Sequence, residues 1–384
     1  MTTPSDFEKI ASACIQHYES ALKKKGKPHE KEWTLLSAII LWHNEENFTI
    51  ASMATGTKCL GEVELNDKGN LIHDSHAEVL SRRAFLRYLY DEIERINDGG
   101  ISKYIDFKSG KFRLKDNTKV IMFCSRTPCG DASIIPKQEE EPEAKRPKLD
   151  IHRTGAKCVP GEPMDERASG MGYHVTCSLR TKPGRGHPTR SLSCSDKIAK
   201  WCLIGLQGAI MMHFFDLPLY IHAIVLGNCP FNQECAERAL FKRFDGKIPN
   251  LGKVYNKIEP IIYKTNTQFN HQQMNNRTVA CGAAIIWWKS CKDQQVCVNG
   301  LKQGVSKKAK DSPKSRCSVC KLELFSTAQR LISKLKLKIE SNEILKTYES
   351  YKQASVEYQR VWTLLREDAL KNWPRTDRKL NSFS

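Results

Sequence analysis

The stretch Asp74-Ser75-His76-Ala77-Glu78 is the most informative part of this chain of 384 residues, because it places an imidazole two residues before a carboxylate. Two later stretches, Pro128-Cys129-Gly130-Asp131 and Ser193-Cys194-Ser195-Asp196-Lys197, each carry one cysteine. An imidazole nitrogen and two thiolates are ligands that Zn²⁺ prefers, and three protein ligands leave the fourth tetrahedral position open for water. The sequence therefore predicts one zinc ion, bound by His76, Cys129 and Cys194.

Glu78 is predicted to move protons rather than to bind the metal. On an ideal helix two residues that are two positions apart point about 200° away from each other. Both His76 and Glu78 can face the metal only if His76 stands at the entry of the helix, with Asp74 and Ser75 as acceptable cap residues. Pro128-Cys129-Gly130 is predicted to open a second helix, whose N-terminal dipole would favour a thiolate.

The second cysteine of the site does not stand where the usual pattern places it. His-x-Glu followed by Pro-Cys-x-x-Cys is the general signature of zinc deaminases of nucleobases. Here Ala132 stands at the last position of that pattern, so the second thiolate must come from elsewhere, and Cys194 is the best candidate. With Thr55-Gly56-Thr57-Lys58-Cys59 and Leu179-Arg180-Thr181-Lys182 around it, this split site resembles the family of adenosine deaminases acting on RNA and their tRNA-specific relatives. The resemblance runs from about Gly26 to Phe383.

The resemblance implies an enzyme that hydrolytically deaminates adenosine to inosine in RNA. Because the chain lacks room for separate double-stranded-RNA-binding domains, we expect it to resemble the tRNA-specific relatives most. That resemblance implies a tRNA substrate, edited next to the anticodon on its 3′ side in an alanine-type tRNA. A deaminase acting on double-stranded RNA, a cytidine-specific enzyme and a catalytically inactive RNA-binding relative remain as alternatives. The intact His76, Glu78, Cys129 and Cys194 argue against the inactive relative.

Several cations lie on segments that are too apolar to be surface helices, and a buried cation without a partner costs several kcal/mol. Ordinary carboxylate partners would satisfy them. The resemblance implies instead a buried inositol hexakisphosphate, with Asp74 and Lys182 linking its phosphates to the metal ligands. The contacts that it implies are Arg82, Arg83, Lys197, Lys200, Lys321, Tyr348, Lys352, Tyr358 and Trp373.

Three residues are predicted to contact the RNA. Thr57 and Lys58 are expected to border the base pocket, and Arg185 is expected to meet the RNA near the flipped nucleotide. Arg185 stands where double-stranded-RNA editors carry a glutamate between two glycines, and arginine is not an equivalent of glutamate. This difference favours a substrate whose adenosine is already exposed.

Composition agrees with an RNA partner and gives no sign of a membrane protein. The net charge of +18 favours a polyanionic partner. No run of about 18 apolar residues appears, and no secretory signal is visible at the N-terminus. Fifteen cysteines then predict reduced thiols in the nucleus, the cytoplasm or both. The basic run at residues 145–148 resembles a nuclear-localisation signal. Nothing in the sequence requires an oligomer.

The predicted fold class is α/β, with a cytidine-deaminase-like α/β/α core and extra helices and strands in a single deaminase domain over residues 1–384. A disordered insertion is predicted at residues 137–163, because that stretch is charged, rich in proline and poor in apolar residues. Paired strands are predicted at residues 33–42 and 48–53, and a central strand at residues 120–123. Helices are predicted at residues 76–97, 195–214, 319–336 and 342–371.

Overall fold

The computed structural model describes residues 3–43, 48–137, 151–168, 170–183, 187–341 and 344–384. Within these ranges the chain has a mixed α/β architecture, so the predicted fold class is confirmed. The strands are β1 Glu32–Trp33, β2 Leu36–His43, β3 Thr49–Thr55, β4 Thr57–Cys59, β5 Asp74–His76, β6 Ile105–Lys108, β7 Lys111–Leu114, β8 Thr118–Cys124, β9 Ile135–Pro136, β10 Ile151–His152, β11 Lys157–Cys158, β12 Arg180–Thr181, β13 Ala223–Leu226, β14 Ile261–Lys264, β15 Val279–Ala280, β16 Ala283–Trp288, β17 Gln295–Val298 and β18 Leu301–Lys302. The α-helices are α1 Pro4–Gln16, α2 Ala77–Asn97, α3 Cys194–Ile204, α4 Gln233–Leu240, α5 Lys321–Lys334, α6 Tyr348–Gln353 and α7 Val356–Glu367.

Eight strands form the central sheet, in the order β14-β13-β8-β2-β3-β16-β17-β18. β8, β13 and β14 are parallel to one another, and the remaining neighbours pair in the antiparallel sense. The paired strands and the central strand predicted from the sequence correspond to β2, β3 and β8. Because the carboxyl ends of parallel strands meet at one edge of a sheet, the loops after β8 and β13 lie side by side.

Helices cover both faces of this sheet, which explains why its central strands are almost continuous apolar runs. All of β2 except the half-buried His43 is buried. On one face α1 packs through Phe7, Ile10 and Cys14 against β2, β8 and β13. On the other face α2 and α5 pack through a second cluster that includes Leu89. The sequence analysis assigned no element to α1, although Thr3 and Asp6 form a capping box at its start.

Three of the predicted helices differ from what the structure shows. The apolar run of residues 195–214 is not one helix, because α3 ends at Gly205, whose φ of 75° favours glycine, and a short 3₁₀ turn follows at Ile210–His213. The helix predicted over residues 342–371 is two helices, α6 and α7, separated at Ala354 and Ser355. No α-helix opens at Cys129, because Gly130 has a φ of 105° and leads only into a 3₁₀ turn, Asp131–Ser133.

The insertion predicted at residues 137–163 is narrower than expected. Residues 138–150, which include the basic run at 145–148, lie outside the described part of the chain. Beyond them, β10 pairs with β9 and β11 pairs with β12. Ile151, Ala156 and Val159 are buried. Residues 151–159 therefore belong to the folded domain. None of the helices within the described ranges has the length and apolar character that crossing a membrane requires.

We expect Ile151→Ala to lower the free energy of unfolding by about 2–4 kcal/mol, because it removes a fully buried side chain. The matched control is Ile101→Ala, since Ile101 is 84% exposed, and its effect should stay within about 0.5 kcal/mol. Urea unfolding followed by circular dichroism measures both values. Equal, small effects would show that the segment after residue 150 does not pack in solution.

Candidate metal centre and its buried charges

Three side chains from three separate segments meet at one point. His76 ends β5 and stands at the N-cap of α2, Cys129 lies in the loop after β8, and Cys194 is the first residue of α3. The Nδ1 atom of His76 lies 3.8 Å from Cys129 Sγ and 3.6 Å from Cys194 Sγ. Zinc bonds of about 2.0–2.3 Å at tetrahedral angles would place ligand atoms about 3.5–3.8 Å apart. The donor set therefore has the spacing and chemistry of a zinc site.

Hydrogen bonds between α3 and the loop after β8 hold the two cysteines together. The Ser195 hydroxyl donates to the carbonyl of Cys129 at 2.8 Å, and the Cys194 N–H donates to Cys129 Sγ at 3.3 Å. A side chain at Gly130 would collide with Ser193, because its Cβ would lie 2.2 Å from the Ser193 hydroxyl. The close approach needed for a shared metal ion thus depends on glycine at this position.

Glu78 lies in the first turn of α2 and is only 3% exposed. Its Oε2 atom is buried and accepts no hydrogen bond from the described residues. Burial raises the pKa of Glu78, and the nearby Cys129 raises it further. A buried carboxyl oxygen without a partner, beside three metal-ligand atoms, suits a group that exchanges protons with a bound substrate or water.

The cap of α2 differs from the prediction, because His76 itself is the N-cap residue and no side chain caps it. Asp74 instead accepts a hydrogen bond from the His76 N–H at 3.0 Å. Its second carboxylate oxygen accepts hydrogen bonds from Lys182 at 2.6 Å, from Ser191 at 2.6 Å and from Lys197. Burial would raise the pKa of Asp74, but the ammonium groups of Lys182 and Lys197 outweigh it and hold that pKa well below its usual range.

A second group of possible metal ligands contains Cys59, Asp74 and His76. Both carboxylate oxygens of Asp74 already accept hydrogen bonds, two of the donors being lysines. A cation would have to displace those lysines before Asp74 could bind it. The set made by His76, Cys129 and Cys194 therefore fits a metal ion better.

Beneath Asp74 lies a cavity of about 370 Å³ that is lined by cations. A smaller cavity of about 70 Å³ shares Arg82, Arg83 and Lys321 with it. Among the predicted polyphosphate contacts, Tyr358 lines neither cavity and is buried against Tyr255. Tyr348 and Lys352 line the second cavity, and six others line the first. The six are Arg82, Arg83, Lys197, Lys200, Lys321 and Trp373.

Most of these cations lack a carboxylate partner. Lys197 pairs with Asp74, and Lys352 lies 3.2 Å from Glu349. For Arg82, Arg83, Lys200 and Lys321, no carboxylate of the described ranges lies within 4.0 Å. Their donors turn instead to neutral acceptors, as when Arg83 donates from Nε to the carbonyl of Val319 at 2.6 Å.

Burial without an anion destabilises the charged forms of these side chains. It lowers the pKa of Lys321 to about 7 and that of Arg82 to about 10. Lys200, whose pKa burial also lowers, lies 3.7 Å from the ring centre of Trp362 and 5.1 Å from that of Trp373. Cations whose charged forms are disfavoured by burial, gathered around one cavity, have the electrostatic character of a polyanion site.

Two of the three predicted RNA contacts lie on β4, and the third lies outside the residues that the structure describes. Thr57 pairs directly with His76 across β4 and β5, so it borders the metal centre, and Lys58 pairs with Ser75. Arg185, with Gly184 and Gly186, lies outside the described residues. The sequence analysis did not identify Ser191, the third partner of Asp74, because a single serine near a basic segment carries no distinguishing signal.

Comparison with known proteins places these residues in context. The family model described as the adenosine-deaminase (editase) domain matches residues 52–377. The chain is 32% identical to "tRNA-specific adenosine deaminase 1" of Mus musculus, over 98% of this chain and 99% of that protein. It is also 32% identical to the protein of that name from Drosophila melanogaster, over 98% and 96%. Similarity to "Double-stranded RNA-specific editase B2" of Mus musculus, at 31% identity, covers 55% of this chain and 28% of that protein.

We expect Lys182→Ala to lower the free energy of unfolding by about 1.5–3 kcal/mol, because Asp74 loses one charge-assisted hydrogen bond while Lys197 and Ser191 remain. Lys157→Ala is the matched control, since Lys157 is exposed on the neighbouring β11. Its effect should stay within about 0.5 kcal/mol. Chemical denaturation of the purified proteins gives both values. An unfolding free energy unchanged by Lys182→Ala would mean that the contact with Asp74 adds no stability.

Proposed function

The chain belongs to the adenosine-deaminase (editase) domain family, and from this membership we propose that it hydrolytically deaminates adenosine to inosine in a tRNA. The observation that carries the proposal is the buried Oε2 atom of Glu78, which has no hydrogen-bond partner among the described residues and lies beside the three metal-ligand atoms. Two facts favour tRNA over double-stranded RNA. Similarity to the tRNA-specific relatives spans nearly the whole chain, whereas similarity to the double-stranded-RNA editase covers about half of it.

His76, Cys129 and Cys194 would hold one zinc ion, which when bound would lower the pKa of a water molecule to roughly 7. Glu78 then carries the protons of the reaction. It accepts one proton from the attacking water and donates it to the purine ring nitrogen. It then takes the second proton from the hydroxyl group that has been added to the ring carbon and delivers it to the amine, which leaves as ammonia while that hydroxyl becomes the carbonyl of inosine. Its buried setting suits this role, because no described residue competes for the Oε2 atom.

We expect Glu78→Ala to abolish turnover while the protein keeps its fold and its zinc, because Glu78 moves protons and does not bind metal. Cys194→Ala should lose both zinc and turnover. Cys202→Ala, which changes a buried cysteine on the same helix α3, should keep both. Metal analysis by mass spectrometry and single-turnover assays separate the three outcomes. Wild-type-like rates of Glu78→Ala, or stoichiometric zinc in Cys194→Ala, would contradict the assignment.

We also propose that the cation-lined cavities hold inositol hexakisphosphate as part of the fold. Four partly buried cations that line these cavities have no carboxylate partner among the described residues, and an anion of high charge would offset the cost of gathering them there. Phosphate groups match guanidinium and ammonium donors well. Tyr348 and Trp373 add a hydroxyl and an indole N–H to the same walls. Asp74 and Lys182 would connect this site to the metal ligands through His76.

Lys352→Glu should yield aggregated or unfolded protein, because it puts a carboxylate against the bound polyanion. Lys371→Glu, which changes an exposed lysine, should stay soluble. Native mass spectrometry of the wild-type protein should show one added inositol hexakisphosphate. Active wild-type protein without any added phosphate ligand would overturn this assignment.

The tRNA body is proposed to bind through exposed lysines beside β17. Gln294 fixes this segment, because its side-chain amide donates to the carbonyls of Lys23 at 3.0 Å and Lys25 at 2.9 Å. Lys24 and Lys25 are exposed there, and so is Lys302 of β18. Such contacts hold phosphates without reading sequence. The edited position that we propose is the adenosine on the 3′ side of the anticodon in alanine tRNA, because a loop adenosine avoids the cost of unpairing.

We expect full tRNA to be deaminated faster than its isolated anticodon stem-loop, and long duplex RNA to react little or not at all. The double variant Lys24→Glu/Lys25→Glu should weaken tRNA binding and flatten its salt dependence by about one unit of slope per lost phosphate contact. Lys108→Glu is the control, since this exposed lysine lies on the hairpin of β6 and β7 before β8 begins, far from the loop that follows β8. Faster deamination of the duplex would contradict the choice of substrate.

We propose that the enzyme works in the nucleus, the cytoplasm or both, where thiolate ligands stay reduced. The site described above is complete within one chain, so no second copy is required for it.

A further inference from the structure

A third cavity, of about 180 Å³, lies where the parallel strands β13 and β14 end. It is separate from the cation-lined cavities, with which it shares no lining residue. Its walls come from β9, β10, the loop after β13 and the end of β14. The residues lining it are Ile135, Pro136, Lys137, His152, Cys229, Pro230, Phe231, Asn232 and Lys264.

The third cavity is tied directly to the loop that carries Cys129. The hydroxyl of Thr127, two residues before Cys129, donates to the carbonyl of Pro230 at 2.7 Å. On the other side of Cys129, the chain passes through one 3₁₀ turn and reaches the cavity wall at Ile135. The loop that supplies a metal ligand thus also forms the wall of this cavity, so the two sites are neighbours at one edge of the sheet.

The lining has the chemistry of a site for one nucleotide. Phe231 is a half-buried aromatic ring that packs against the hydrophobic core and lines the cavity. Lys264 is exposed, and no carboxylate of the described ranges lies within 4.0 Å of it. The Oδ1 atom of Asn232 caps α4 by accepting a hydrogen bond from the Cys235 N–H at 2.9 Å. This cap does not use the side-chain amide nitrogen of Asn232, which stays available as a donor. A flat ring, cations and an amide donor are the groups by which proteins hold an unstacked base and its phosphate.

We propose that this third cavity binds the nucleotide that directly neighbours the target adenosine in the same RNA strand. The base stacks on Phe231, and Lys264 contacts the adjoining phosphate. The inference rests on the proposed function, because it needs an RNA strand that enters the metal centre. When the target adenosine is flipped out of the RNA, its neighbour in the strand stays one nucleotide away along the backbone. The loop that carries Cys129 also forms a wall of the third cavity, so this cavity lies close enough to the metal centre to receive that neighbour.

A double-mutant cycle between protein and RNA tests the proposal. The RNA is an anticodon stem-loop with an abasic site placed either 5′ or 3′ of the adenosine, and the protein is wild type or Phe231→Leu. We expect one of the two abasic positions to weaken wild-type binding by about 5- to 150-fold, the range expected for one stacked base. In Phe231→Leu the same abasic site should have little further effect, because the stacking partner is already gone.

Two variants keep the cycle interpretable. Lys264→Glu alters only an exposed side chain, so it should weaken binding by several-fold even if Phe231→Leu proves unstable. Phe107→Leu is the control, since this 47% exposed ring lies on the hairpin of β6 and β7, before β8 begins. Binding is followed by fluorescence anisotropy and turnover by inosine formation, so that each is measured independently.

Coupling between Phe231 and one flanking base supports the proposal. Equal losses from the abasic site in wild type and in Phe231→Leu, with unchanged binding by Lys264→Glu, would overturn it. If the wild-type protein binds the stem-loop and shows this coupling but forms no inosine, the proposed function fails while the nucleotide site stands. If inosine forms and no coupling appears, the proposed function stands and the nucleotide site fails.

Discussion

The carboxylate of Asp74 connects the predicted metal centre to the cation-lined cavity. One of its oxygens accepts the N–H of His76, and the other accepts hydrogen bonds from Lys182, Lys197 and Ser191. Lys197 lies one turn after the Cys194 end of α3, and it also lines the cation-rich cavity. A single buried anion therefore fixes the strand that supplies the imidazole and one lysine, Lys197, that borders the cavity. Replacement of one partner changes the electrostatic balance of both regions, because Asp74 and Lys182 are buried and their charges are poorly screened by water.

More cations gather at this cavity than the carboxylates of the described residues can neutralise. Asp74 and Glu349 neutralise only two of them, and Lys200 is stabilised by the faces of two tryptophans, Trp362 and Trp373. Cation–π contacts of this kind contribute about 2 kcal/mol or more when desolvated, which offsets only part of the cost of burial. A polyphosphate held here would act as a core element rather than as a reversible ligand. The metal centre, which shares α2 and α3 with the cavity, would then depend on it for its shape.

Much of this arrangement could be predicted from the sequence, since the site residues stand in short motifs with fixed local roles. His76, Glu78, Cys129 and Cys194 were identified from their short motifs and from the family resemblance, and the structure brings the three predicted metal ligands together. The end of α3 was missed because residues 205–214 remain apolar, and only the left-handed backbone of Gly205 ends the helix. The packing of residues 151–159 was missed because a few buried side chains, such as Ile151, lie within a polar stretch. The contact of Lys200 with Trp362 was invisible for another reason: it joins residues 162 positions apart along the chain, which no local pattern reveals.

We propose that this chain converts a particular adenosine of tRNA to inosine. Incubation of the purified protein with total tRNA, followed by reverse transcription and sequencing, tests this directly because inosine is read as guanosine. We expect A-to-G changes at a single position, the nucleotide on the 3′ side of the anticodon in alanine tRNA. Unchanged reads at every adenosine after incubation with zinc-loaded protein would contradict the claim, and so would changes scattered over base-paired regions.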